Sequence, residues 1–104
     1  MRGMSLLTVA AASALYGCAP DPVVGVLRPK TGAAAAYGRS VGSGIDIAME
    51  VARSAAALPD GFRLVEGDTA STPEVAVAEL TRLIREDHVR IFVGGVTSAE
   101  ADAL

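Results

Sequence analysis

The sequence predicts an α/β fold, a parallel sheet with helices on both faces. Three observations predict it. Segments that read as strands at residues 23–27, 62–66 and 89–93 alternate with stretches of helical spacing at residues 37–57 and 71–87. The first run, Val23-Val24-Gly25-Val26-Leu27, shows no polar alternation, as expected of a strand buried on both faces. The order strand, helix, strand, helix, strand, helix also demands crossovers, and these join parallel strands with a right-handed turn.

Each element has its local reason. Arg28-Pro29-Lys30-Thr31-Gly32 ends the first strand, and the alanines at 33–36 suit either a loop or a helix start. Val41, Ile45, Ala48, Met49 and Ala52 then recur every three or four residues, with Arg39, Ser43, Asp46, Glu50 and Arg53 opposite. Leu58-Pro59-Asp60-Gly61 is read as the stop of that helix. The second strand leads into Gly67-Asp68-Thr69. Ser71-Thr72-Pro73-Glu74 reads as a helix start in which the serine caps a backbone N–H and Glu74 answers. Ala76, Val77, Leu80, Leu83 and Ile84 lie on one face of the helix that follows. After the third strand, Gly94-Gly95-Val96-Thr97 makes a tight loop and Ser98 opens a third helix.

The first 17 residues read differently. Met1-Arg2-Gly3 is a positive start, and residues 4–15 are apolar apart from Ser5, Thr8 and Ser13. About 12 helical residues rise roughly 18 Å, short of the roughly 30 Å hydrocarbon core. The run is expected to be a signal peptide rather than a membrane span. Leu15-Tyr16-Gly17-Cys18 resembles a bacterial lipobox, which implies diacylglycerol on the Cys18 thiol and cleavage just before it. An ordinary secretory signal cut near Ala19 is the alternative. Residues 18–22, with Pro20 and Pro22, are expected to be a tether, and residues 23–104 a partial lobe.

Composition excludes several functions. Removal of the leader leaves 87 residues with 8 basic and 12 acidic side chains, a net charge of −4. Such a balance does not attract nucleic acid, and the few aromatics make no stacking platform. One cysteine and one histidine assemble no metal site and no nucleophile–base set. Gly42-Ser43-Gly44 falls inside a helix and lacks a third glycine, so it is no dinucleotide fingerprint. No cofactor and no enzymatic activity are expected. A three-strand sheet with two bare edges and a last helix of seven residues lead us to expect the opening part of a larger domain.

Ligands of open parallel sheets collect at the carboxyl ends of the strands. The loop at residues 94–98 is the leading candidate there. Thr97 and Ser98 offer hydroxyls beside the unpaired N–H groups of a helix start, a setting that suits a carboxylate. Alternatively, Ser98 caps its own helix. Tyr37 either packs over a ligand or lies buried at its helix start. Asp68 either meets a cation or ligand amine or ties down its own loop. His88 is read as a surface residue at a helix end.

Taken together, Gly25-Val26-Leu27-Arg28-Pro29-Lys30-Thr31-Gly32, Ala36-Tyr37-Gly38, Ile47-Ala48-Met49-Glu50, residues 66–73 and Val93-Gly94-Gly95-Val96-Thr97-Ser98 resemble a known family. It is the branched-chain amino-acid-type periplasmic substrate-binding proteins of ABC transporters. The resemblance implies two α/β lobes hinged around a small ligand, of the periplasmic-binding-protein type I, with this chain the first part of the N-terminal lobe. It implies that Ser98 receives the ligand carboxylate, that Tyr37 lines the cleft, and that Thr97 is a neighbour. The implied partners are an amino acid or related small carboxylate, a membrane permease, and the membrane itself through a lipidated N-terminus at the periplasmic or cell-surface side. At residues 53–61 the family often carries asparagine and paired glycines, which this chain lacks. Other readings of the same fold are an extracytoplasmic ligand-sensing domain, a fragment of a secreted α/β enzyme, and a truncated product without function.

Overall fold

The computed structural model describes residues 20–104. The leader, Cys18 and the first part of the tether lie outside the described residues. Strand β1 (Val23–Arg28), helix α1 (Ala35–Ser54), strand β2 (Arg63–Asp68), helix α2 (Pro73–Glu86), strand β3 (Ile91–Gly94) and helix α3 (Ser98–Ala103) follow in the expected order. The strands form one sheet in the order β2-β1-β3, and both pairings are parallel. Val26, central in β1, sits between Glu66 and Val93.

Topology sets where the helices go. The chain moves from β1 to β2 in one direction and from β2 back past β1 to β3 in the other. Crossovers of one hand then put α1 and α2 on opposite faces. The short α3 packs against α2, on the α2 side. The core of that side is Leu27, Leu83 and Val89, with Val23, Val65, Leu80 and Leu104 packed around it. Leu27 and Val26 are buried on their respective faces, which explains the unbroken apolar run of β1.

Helix α1 presents Val41, Ile45, Met49 and Ala52 half-buried and leaves Arg39, Ser43, Asp46, Glu50 and Arg53 exposed. Its only fully buried residues, however, are Gly38 and Gly42. The Arg28 guanidinium fills the space over Gly42 and bonds the Gly38 carbonyl oxygen at 3.1 Å. The pair of glycines therefore serves helix–strand packing.

Several local expectations are corrected. Ala48, on the apolar side of α1, and Val77 and Ile84, on that of α2, are exposed rather than packed on the sheet. Helix α1 ends at Ser54, before the Leu58-Pro59 stop, because Ala56 turns into the left-handed region at φ +51°. Ala57 N–H then bonds Ala52 O at 2.9 Å and Ala56 N–H bonds Arg53 O at 3.0 Å, closing a Schellman motif on alanines. At α2 the cap residue is Thr72, and no side chain makes the cap hydrogen bond. Ser71 is occupied elsewhere. Its Oγ donates to Thr31 O at 2.8 Å and accepts from Ala34 N–H at 3.0 Å, holding the β1–α1 loop instead.

Candidate functional site

Strand β1 is the neighbour of β3, yet their exit loops lead to helices on opposite faces. That is a topological switch point, the place at the carboxyl edge where open α/β sheets hold their ligands. Tyr37 stands in the first turn of α1 on one side and Ser98 begins α3 on the other. The strands run parallel, so both residues lie at the same edge. Tyr37 is 70% exposed, so the alternative of a ring buried at the helix start does not hold.

Helix α3 is capped by Thr97, not by Ser98. Thr97 Oγ1 accepts from Glu100 N–H at 3.3 Å, and Glu100 Oε2 accepts from Thr97 N–H at 3.2 Å, a complete capping box. The Thr-x-x-Glu spacing of Thr97-Ser98-Ala99-Glu100 was present in the sequence to signal it. Ser98 is the first helical residue and is exposed, so its hydroxyl is not consumed by the cap. Thr97 has spent an acceptor position and keeps its proton for donation.

The paired glycines have internal duties. A side chain at Gly94 would meet Leu27 O at 2.5 Å and Leu27 Cβ at 2.6 Å. Gly95 takes φ +78° beside Ala101. Both are thus required by the fold of the loop before any ligand is considered.

Asp68 ties down loops. Its Oδ1 accepts from Lys30 N–H at 2.8 Å, Thr31 N–H at 3.2 Å and Ala70 N–H at 2.9 Å, and its Oδ2 accepts from the Thr31 hydroxyl at 2.7 Å. Partial burial pushes the carboxyl up. The bonds from Ala70, Thr31 and Lys30 outweigh it and hold the pKa at about 2. Glu66, beside it, pairs with the Arg28 guanidinium at 3.2 Å and with the Lys30 ammonium. Burial again raises its pKa, and the two cations bring the net below the ordinary value. The one lysine of the chain is therefore engaged within the fold.

Buried beneath these loops is a contact that sequence reasoning missed. Thr69 and Glu100 are both 0% exposed, and the Thr69 hydroxyl donates to Glu100 Oε1 at 2.5 Å. His88 is exposed at the end of α2, with φ +58°. A hollow of about 680 Å³, walled by Pro22, Val24, Ile84, Val89 and Ile91, lies at the amino ends of the strands. It is at the opposite edge from Tyr37 and Ser98. Among the described residues no cluster of His, Cys, Asp and Glu is disposed to hold a metal, and no helix is long and apolar enough to cross a membrane.

Comparison with known proteins fits this geometry. The family model described as periplasmic binding protein matches residues 22–104. The chain belongs to the periplasmic binding protein family. An amino acid binding protein of Pseudomonas aeruginosa is 35% identical over 80 residues, which cover 76% of this chain and 21% of that protein. The crystal structure of the leucine binding protein LivK from Thermotoga maritima superposes with a TM-score of 0.70 at 33% identity, covering 79% of this chain and 23% of its own. An ABC-type branched-chain amino acid transporter protein from Rhodopseudomonas palustris gives 0.72 at 27% identity, covering 80% and 23%. The fold is that of these neighbours in part, since the chain spans less than a quarter of the length of each of the three.

Proposed function

We propose that this periplasmic binding protein chain supplies the first part of an amino-acid-binding lobe in the solute-binding component of an ABC transporter. The observation that carries the reading is the likeness of residues 22–104 to the family, together with the leucine and branched-chain amino acid named for its structural relatives. Ser98 receives the ligand carboxylate, Thr97 assists by donating its proton, and Tyr37 covers the ligand from the α1 side. No bond of the ligand is made or broken, and the solute passes to a membrane permease.

In this reading residues 1–17 are a lipoprotein signal peptide and residues 18–22 a tether. Residues 23–104 are lobe, and diacylglycerol on Cys18 holds the protein to a membrane outside the cytoplasm. Cys18→Ala should move the protein from the detergent phase to the aqueous phase on partitioning. Unchanged partitioning disproves the anchor.

Calorimetric titration of the complete protein, this chain together with the rest of its two lobes, with L-leucine and L-isoleucine tests the binding function. Isopentylamine, which keeps the leucine side chain and amine but lacks the carboxylate, should bind far more weakly. Absence of heat with both amino acids, or equal affinity for the amine, overturns the assignment.

A further inference from the structure

We infer that Glu100 is a positioning residue that locks the loop bearing Ser98 to the β2–α2 loop through Thr69. The inference rests on the reading of Ser98 as a ligand contact.

A glutamate in an ordinary capping box reaches only the N–H of its own cap residue and remains at the surface. Glu100 goes further. One oxygen takes the Thr97 N–H, and the other takes the hydroxyl of Thr69, 31 positions earlier in the chain. Both side chains are shut off from solvent, and among the described residues no arginine or lysine pairs with the carboxylate. A buried carboxylate costs free energy unless hydrogen bonds replace its hydration. The contact, at 2.5 Å, is at the short end of hydroxyl–carboxyl hydrogen bonds. A helix of six residues does not need this arrangement to be capped.

Thr69 is itself held on both sides. Its N–H donates to Arg28 O at 3.2 Å, and its carbonyl accepts from Thr72 N–H at 3.0 Å. Its neighbour Asp68 fixes Lys30 and Thr31. The three exit loops therefore form one hydrogen-bonded series, from residues 30–34 through 68–72 to 95–100. Thr69 and Glu100 make its last link. The link presets the loop that bears Ser98, so that a ligand meets donors already in place.

The test separates a link between loops from a purely local cap. Thr69→Val keeps the volume and removes the hydroxyl. Amide hydrogen exchange on the ligand-free chain should then quicken about tenfold at residues 95–99, far from the substitution in sequence. Thr69→Ser should restore the wild-type rates, and amides of α1 should not respond. If Thr69→Val does not fold, Glu100→Gln, which keeps one acceptor, should quicken exchange at both residues 68–72 and 95–99. Wild-type rates at residues 95–99 in Thr69→Val, or a change in Glu100→Gln confined to residues 95–99, overturn the lock.

L-Isoleucine binding by the complete protein gives the second readout. Affinity should fall about tenfold in Thr69→Val and return in Thr69→Ser. A wild type that binds isoleucine, with Thr69→Val binding it equally, overturns the positioning role. A wild type that does not bind leaves exchange to decide the lock and removes the proposed function instead.

Discussion

The carbonyl oxygen of Pro29 lies against the α-carbon of Gly38, in the space that a side chain at position 38 would occupy. The contact is backbone to backbone, so no rotamer change can relieve a collision there. It brings the first turn of α1, and with it Tyr37, down onto the loop that leaves β1. Gly38→Ala should therefore lower stability by about 3 kcal/mol, the upper range for overpacking a tight contact. Gly44, in the same helix, faces open space, with nothing within 4 Å of an added carbon. Gly44→Ala should raise stability by about 1 kcal/mol through helix propensity alone. Urea denaturation of the two variants measures the contrast. A Gly38→Ala variant as stable as wild type would show that the helix start slides freely on its loop.

The same pair of positions shows what the sequence made legible. Periodicity located α1 and most of its inward face, because Val41, Ile45, Met49 and Ala52 repeat at the helical interval whatever they touch; it failed at Ala48, which is exposed. It did not reveal that Gly38 and Gly42 make the closest contact, since glycine carries no hydropathy signal and its partners Pro29 and Arg28 are set by tertiary geometry. Ser71 failed as a cap for a similar reason. Its local spacing to Glu74 was favourable, but the loop at residues 31–34 offered the hydroxyl two partners at once. At the site, order along the chain was enough to bring the β1 and β3 exits to one edge. Burial of Glu100 was not legible, because a glutamate in a first turn reads as solvated until its distant threonine is known.

Ala56 occupies a position where the backbone is left-handed, at φ +51°. A residue with a β-carbon pays about 1–2 kcal/mol to stand there, and glycine would return part of the gain through its own backbone entropy. Ala56→Gly should raise stability by about 1 kcal/mol, read as an increase in the urea midpoint at constant slope. Loss of stability in this variant would mean that the Schellman bonds of Ala56 and Ala57 do not form in solution.

Asp68 makes stability depend on pH in a defined window. A carboxyl with a lowered folded-state pKa adds stability that is complete above its unfolded value and disappears as pH falls through the folded one. With an ordinary value of 3.8 and a folded value of about 2, the decline lies between those two. Glu66 is lowered as well and acts in the same direction, so the informative quantity is the difference between wild type and Asp68→Asn. Thermal melts should converge as pH drops from 4 to 2 and run parallel above pH 5. At neutral pH Asp68→Ala should cost about 2 kcal/mol, the scale of hydrogen bonds to a charged acceptor. A gap between wild type and Asp68→Asn that persists unchanged at pH 2 would exclude the carboxylate charge as its source.

Ser98 and Thr97 are adjacent hydroxyls with separable duties, and their alanine variants should fail in different assays. Thr97 caps α3, so Thr97→Ala should lower stability by about 1 kcal/mol. Ser98 begins the helix with its hydroxyl outside the cap, so Ser98→Ala should leave the urea midpoint in place. If Ser98 receives the ligand carboxylate, the same variant of the complete protein should weaken L-isoleucine binding by roughly 1.5–3 kcal/mol, the range for a hydrogen bond to a charged group. Calorimetry and denaturation on both variants distinguish the cases. Unchanged affinity in Ser98→Ala removes it from the site. A stability loss in Ser98→Ala equal to that of Thr97→Ala would return it to the role of a cap.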